Sequence, residues 1–272
     1  MNTLKEIVTH KRHEVDERRS LYPLKLLEQS IFFETPTVSL KAYLLRSGST
    51  GIIAEIKRRS PSEGLLNGFV SVERTSIGYM QAGAAALSIL TDKKFFGGSS
   101  EDLSIARKFN FCPILRKDFI IDEYQILESK SIGADAILLI AALLDSQKIK
   151  TFTSLAHSLG LEVLVEVRNR EELISNTESG GDLMGINNRD LNTMHVSVET
   201  SRVLAQYIPP HMLRVAESGI HCAGTVNELR TFGFAGFLIG TAFMRAARPE
   251  RAASTFMEEL KGVGSANNSV EK

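Results

Sequence analysis

Ile52-Ile53-Ala54-Glu55-Ile56-Lys57-Arg58-Arg59-Ser60-Pro61-Ser62-Glu63-Gly64 begins as an apolar strand and ends in a loop of Ser, Pro and Gly. Glu55 and Lys57 stand two residues apart just before that change. Side chains alternate along a strand, so both point to one face. Burying a carboxylate beside an ammonium strips hydration from both ions, and a strand does not do so without a reason. A structural ion pair, or a strand end meeting water, accounts for this pair alone. The same event at the ends of most later strands calls for another explanation.

Outward from this stretch a unit repeats: apolar strand, polar loop, amphipathic helix, and often a Gly before the next strand. The strands are read at 52–57, 86–91, 113–118, 136–141, 162–167, 183–188, 213–217 and 236–240. Helical patterns fall near 71–82, 99–109, 122–132, 145–159, 169–179, 197–207, 221–232 and 248–261. Asp122 with Gln125 and Asn169 with Glu172 have the spacing of capping boxes. Gly83, Gly133, Gly160 and Gly233 stand where helix C-termini need a left-handed residue. Eight such units fit an α/β fold, a (β/α)8 TIM barrel, over residues 49–262. A doubly wound open sheet is the competitor, but it usually carries a Gly-rich turn after its first strand, and here that turn is Ser-Pro-Ser-Glu-Gly. Before the barrel, Leu4, Ile7, Val8 and Val15 recur at helical spacing, and residues 1–48 read as an N-terminal helical extension of the same single domain. Residues 263–272 are small and polar and read as a disordered tail.

In a barrel, chemistry belongs to the C-terminal strand ends and the loops after them. Those ends carry Glu55 and Lys57; Ser88 and Asp92; Arg116, Lys117 and Asp118; Glu166; Asn187, Arg189 and Asp190; Glu217 and Ser218. Strand 4 is uncharged and offers apolar wall. A charge at one strand end is ordinary, but lysines, carboxylates, an amide and an arginine around one mouth are costly for stability. Such crowding is how acid/base groups acquire shifted pKa values. Ser218-Gly219 and Gly240-Thr241, in the loops after strands 7 and 8, fit a phosphate held by backbone N–H groups, with Ser60 on an adjacent side.

Thirty-two basic residues balance thirty-two acidic ones, which leaves no electrostatic footprint for nucleic acid or an anionic membrane surface. The longest apolar run, Ala136 to Leu144, is about half of a bilayer span. Two cysteines, Cys112 and Cys222, have no metal-ligand spacing and point to a reducing, cytoplasmic setting. No metal site is legible: His10, His13, His157, His195, His211 and His221 fall mostly in helices or connectors and read as surface residues.

Ile53-Ala54-Glu55-Ile56-Lys57 with Ser60-Pro61-Ser62, Leu87 to Asp92 with Phe95-Phe96-Gly97-Gly98, and Leu115-Arg116-Lys117-Asp118-Phe119 closely resemble indole-3-glycerol phosphate synthases. So do Val165-Glu166-Val167, Gly185 to Leu191 and Ala216-Glu217-Ser218-Gly219-Ile220. The resemblance covers nearly the whole chain. It implies a carboxy-lyase of tryptophan biosynthesis that works without a cofactor. The substrate would be 1-(2-carboxyphenylamino)-1-deoxyribulose 5-phosphate, and the products indole-3-glycerol phosphate, carbon dioxide and water. Lys117 matches the general acid at the sugar carbonyl and Glu166 the base. Lys57 matches the residue that holds the substrate carboxylate and shares the acid role. Glu55, Asn187 and Ser218 match substrate-orienting positions, and Arg189 a cation near the anthranilate portion. Glu217 would tune the lysines. Phe95, Phe119, Leu138 and Leu191 would form the slot for the aromatic ring. The partners implied are this phosphorylated small molecule and other enzymes of the tryptophan pathway.

Three places depart from the family's pattern. Arg58-Arg59 follows Lys57 where a less basic pair is expected, Lys93-Lys94 replaces a more acidic stretch, and Ser197 stands near a usual acidic position. The nearest alternative enzyme, a phosphoribosylanthranilate isomerase, calls for a Cys base and an Asp acid at strand ends, which Cys112 and Cys222 do not satisfy. A barrel that only binds a phosphorylated ligand would have no use for Lys57, Lys117 and Glu166 together. The extension is expected to cap the barrel and contribute substrate contacts, and its removal (residues 1–46) to raise KM while the barrel stays folded.

Overall fold

The apolar runs become β1 (Ile52–Ile56), β2 (Ala86–Leu90), β3 (Ile114–Lys117), β4 (Ala136–Ile140), β5 (Glu162–Val167), β6 (Leu183–Asn187), β7 (Leu213–Glu217) and β8 (Phe234–Ile239). The structure, a computed structural model, describes residues 3–190 and 194–267. Among the described residues these eight parallel strands form a closed barrel. β1 pairs with β2 on one side (Glu55 opposite Ser88) and with β8 on the other (Ile53 opposite Leu238). Closure removes both sheet edges, which settles the choice against the open sheet.

Alternation along the strands sorts the apolar residues into two layers. Ile53, Leu115, Leu138, Leu164, Leu183, Val215 and Leu238 fill the barrel interior. Ile52, Ala54, Ile89, Ile114, Leu139, Val165, Ile186 and Ala216 face outward into the shell beneath the helices. The helices follow the expected phase: Val72–Ala82, Ser100–Phe109, Glu123–Ser131, Ser146–Ser158, Arg170–Ser175, Glu199–Leu204, Ala223–Thr231 and Pro249–Asn267. Neither expected capping box closes: Asp122 accepts from the N–H of Tyr124 rather than that of Gln125, and Gln125 Oε1 from the N–H of Ile121 rather than that of Asp122. Asn169 accepts from the N–H of Glu172, but the Glu172 carboxylate reaches back to the N–H of Arg168 rather than that of Asn169. The helix expected at 169–179 stops at Ser175, where the Asn176 side chain bonds to the Glu172 carbonyl and competes with the backbone pattern. Residues 268–272, part of the stretch read as a disordered tail, lie outside the described residues.

The extension reaches both ends of the barrel. Helix Thr3–Leu21 lies against the mouth, whereas helix Leu40–Leu45 closes the floor, with Leu40 and Leu44 buried in the interior layer. Full burial of each leucine is worth roughly 1.5–3 kcal/mol. Removing residues 1–46 would therefore open the floor as well as the mouth, so the expectation of a barrel that stays folded gives way to one of unfolding.

Candidate active site

The interior faces of β1, β3, β5, β6 and β7 end in polar residues, and the alternation that buries Leu115, Leu164 and Val215 also aims Lys117, Glu166 and Glu217 at the mouth. Lys117 Nζ stands 3.0 Å from Glu166 Oε2 and 2.8 Å from Glu217 Oε2. Asn187 Nδ2 donates to the other oxygen of Glu166 at 3.1 Å. Across the mouth, Lys57 Nζ pairs with Glu55 Oε1 at 2.7 Å, though not in hydrogen-bonding alignment. All five charged groups line one cavity of about 310 Å³.

Burial opposes the charge on Lys117, but the nearby carboxylates of Glu166, Glu217 and Glu55 outweigh it and hold its pKa above the usual lysine range. Burial pushes Glu166 up, but Lys117 and the amide of Asn187 bring it below the ordinary carboxylate value. Glu217 goes the other way. Burial raises it, Lys117 lowers it, and the charge of Glu166 raises it again, leaving it pushed up to about 7. Two carboxylates sharing one ammonium thus divide into one that stays ionised and one that holds a proton near neutrality.

Gly185 and Gly240 make room for this arrangement. A Cβ at Gly185 would come 2.5 Å from Glu217 Oε1, and one at Gly240 would overlap Glu55 Oε1. Ser218 adopts a left-handed φ of 66° just before Gly219 at 75°. A serine pays strain for that conformation, which marks the end of β7 as a place held by its surroundings.

The sequence compares with known proteins as follows. The family model described as indole-3-glycerol phosphate synthase matches residues 4–256. An indole-3-glycerol phosphate synthase of Bacteroides thetaiotaomicron is 46% identical over 258 residues, covering 95% of this chain and 98% of the relative. The chain belongs to this family.

A second indole-3-glycerol phosphate synthase, from Thermoanaerobacter pseudethanolicus, is 41% identical, covering 96% of this chain and 99% of its own. Among solved structures, 3-hexulose-6-phosphate synthase from Salmonella typhimurium superposes with a TM-score of 0.61 at 15% identity, covering 78% of this chain and 99% of its own. That likeness shows the barrel alone.

Within the synthase framework, most residues read from the sequence meet at one place. Ser60, Phe119, Leu138, Asn187, Arg189, Ser218, Gly219, Gly240 and Thr241 line the same cavity as the charged groups. Two do not. Phe95 turns away and stands edge-on to His10 of the extension, and its neighbour Phe96 lines the cavity instead. Ser88 is wholly buried beside Glu55, and Leu90, two residues further along β2, reaches the cavity in its place. Leu191 lies outside the described residues.

Other lining residues were missed. Leu4 and Ile7 of the extension form part of the wall. Glu63, in the loop after β1, pairs with Arg189 at 3.3 Å and with Arg245 beyond β8. His221, read as a surface residue, also lines the cavity. The departures find partners too: Arg58 pairs with Asp102 at 2.5 Å, and Lys94 with Glu6 of the extension at 3.5 Å. The Glu6 carboxylate, some 90 residues earlier in the chain, gives the base at position 94 an ionic partner.

The shifted carboxyl of Glu217 has a cost that can be measured. Unfolded, it ionises near 4.5; folded, it keeps its proton to about 7. The native state therefore loses stability as pH rises from about 4.5 to about 7, with no further loss above. Glu217→Gln removes this loss. Its Tm advantage over wild type is expected to grow across that window and then level off. A difference that is flat from pH 4.5 to 8 would contradict the assignment.

Proposed function

We propose that this synthase closes the indole ring with the mouth residues in the following roles. The observation that carries the reading is the ammonium of Lys117 held between Glu166 and Glu217, opposite the Lys57–Glu55 pair in one cavity. Such a cavity suits a substrate with a carboxylate, a ketone and a phosphate.

The phosphate is held by Ser218-Gly219 and Gly240-Thr241, with Ser60 on the adjacent side, and glycine lets the main chain approach the anion. The aromatic ring lies against Phe96, Phe119, Leu138 and Ile7. The substrate carboxylate meets Lys57, with Arg189 close to the anthranilate portion. Lys117 donates to the ketone oxygen and makes C2 of the sugar electrophilic. The ring carbon that bears the carboxylate attacks C2, forming the new C–C bond and a hydroxyl. Carbon dioxide then leaves with the ring electrons restored. Glu166 takes the proton that must be lost for hydroxide to depart, Lys57 helps that departure, and the indole is complete. Carbons, oxygens and protons balance as product, carbon dioxide and water, and no step changes a redox state.

Because the pKa of Lys117 is raised, it is a weak acid while both carboxylates hold it. Its contribution at the first step is a strong charged hydrogen bond, with the proton passing over as negative charge grows on the oxygen. Glu217, poised near 7, can relieve one of the two carboxylate contacts by taking up a proton, and so tunes the lysine.

No helix among the described residues is long and apolar enough to cross a membrane. Cys112 is buried and Cys222 exposed, both free, which supports a reducing cytoplasmic setting. Enzymes that supply this substrate or consume this product are the partners the reading points to.

The test is direct. Purified protein given 1-(2-carboxyphenylamino)-1-deoxyribulose 5-phosphate, with no nucleotide or added metal, is expected to develop indole fluorescence in step with carbon dioxide release. Tight binding of the compound with neither signal would leave only the ligand-binding alternative.

A further inference from the structure

Helix Thr3–Leu21 places Leu4, Ile7 and Lys11 along one face, at the spacing of successive turns. Leu4 and Ile7 line the cavity, and Lys11, which does not, is buried between the ends of β2 and β3 with 1% of its surface exposed. Its Nζ stands 2.9 Å from each of three carboxylates: Asp92 Oδ2, Asp118 Oδ1 and Glu14 Oε2.

Two of those carboxylates hold backbone that shapes the mouth. Asp92 Oδ1 accepts from the N–H groups of Phe95 at 2.7 Å and Phe96 at 3.3 Å, capping the short turn that carries Phe96 into the cavity. Asp118 follows Lys117 directly. Its Oδ1 accepts from the N–H of Phe119 at 2.8 Å, and its Oδ2 from Thr91 Oγ1 at 2.5 Å and Arg116 Nη2 at 3.1 Å. Arg116 in turn is bound by Glu128 at 2.6 Å, which also pairs with Arg18 of the same extension helix. Lys117 thus points inward from a strand end whose two flanking side chains are clamped on the outer side.

We propose that Lys11 is a positioning residue for ring closure: from the extension it locks the ends of β2 and β3 together and so holds Lys117, Phe96 and Phe119 in catalytic register. The proposal rests on Lys117 being the acid. An apolar side chain at position 11 could fill the space, but it would leave Asp92 and Asp118 buried side by side without their shared cation. Geometric control is also stricter with three charged contacts than with apolar packing, which tolerates sliding. The contacts of Lys94 with Glu6 and of Phe95 with His10 dock the same helix on the same loop.

The phosphate cradle is built on β7 and β8, whereas the clamp joins the ends of β2 and β3, with β1 between β8 and β2, and that separation makes the test. Lys11→Met is expected to lower kcat by at least about tenfold while the inhibition constant of inorganic phosphate stays within about twofold of wild type. A double variant, Lys11→Met with Asp92→Asn, removes one of the two stranded charges and keeps a good helix cap, so it guards against simple misfolding. It is expected to fold and still show the low kcat with normal phosphate inhibition. The proposal is overturned if either folded variant keeps kcat within twofold of wild type. It is also overturned if phosphate inhibition weakens as much as kcat falls, or if neither variant folds, since Lys11 would then serve the fold at large. Lys117→Ala assayed alongside separates the two readings: unaffected Lys11 variants beside a dead Lys117→Ala defeat this inference alone, whereas an active Lys117→Ala defeats the assignment of the acid.

Discussion

Lys117→Ala is expected to lower kcat by about 10²- to 10⁴-fold, the range over which positioned acids contribute. The reason lies in what the ammonium faces: it lies 3.0 Å from Glu166 and 2.8 Å from Glu217, on the interior side of β3. On the proposed role the ketone oxygen then loses its donor, and two buried carboxylates face each other without the Lys117 ammonium between them. One of them must then take up a proton, so the loss is not confined to a single hydrogen bond. Both readouts should fail together, because ring closure precedes the departure of carbon dioxide. Single-turnover measurements of carbon dioxide and indole fluorescence check this. Wild-type kcat in the variant would remove Lys117 from the acid role.

Glu166→Gln is expected to cost about 10²-fold or more in kcat with KM changed only a few-fold. Gln keeps the size of the side chain and a contact with Asn187, which now donates at 3.1 Å, but it cannot take a proton. The signature differs from that of Lys117→Ala. If Glu166 acts after decarboxylation, carbon dioxide should appear in single turnover well before indole fluorescence. Equal slowing of both signals would move Glu166 to the ring-closing step. Asn187 supports the same carboxylate and keeps it ionised, in line with its lowered pKa.

Much of this site was legible before any coordinate was known, for a definite reason. In Leu115-Arg116-Lys117, or Leu164-Val165-Glu166, alternation puts the charged Lys117 or Glu166 on the same face as the leucine two residues before it. The charged residue on that face at the strand's end has nowhere to point but the mouth. The same logic failed where geometry is not strand-like. After Asp92 the chain turns into a short helix, where each residue rotates by about 100° from the last. Nothing local tells Phe95 from Phe96, and it is Phe96 that enters the cavity. Ser88 lies on the correct face, but depth along the barrel put it beneath the cavity rather than on its wall.

Lys11 was hidden differently. It stands among Thr9, His10, Arg12 and His13, and reads as part of a solvated face. Its position on the stripe of Leu4, Ile7 and Val15 was the available signal, since a lysine on an apolar stripe asks for a buried partner. Those partners, Asp92 and Asp118, are some 80 and 107 positions away.

By itself the sequence determined the repeating strand-and-helix units, which residues of a strand share a face and the identity of the groups at its tip, because periodicity and turn chemistry are properties of neighbouring residues. Only the closed tertiary structure decided which charges share a partner. Lys117 meets Glu166 and Glu217 across 49 and 100 residues of chain. That meeting depends on the closure of β1 against β8, and with it comes the division of the two carboxylates into one ionised and one holding its proton near neutral pH.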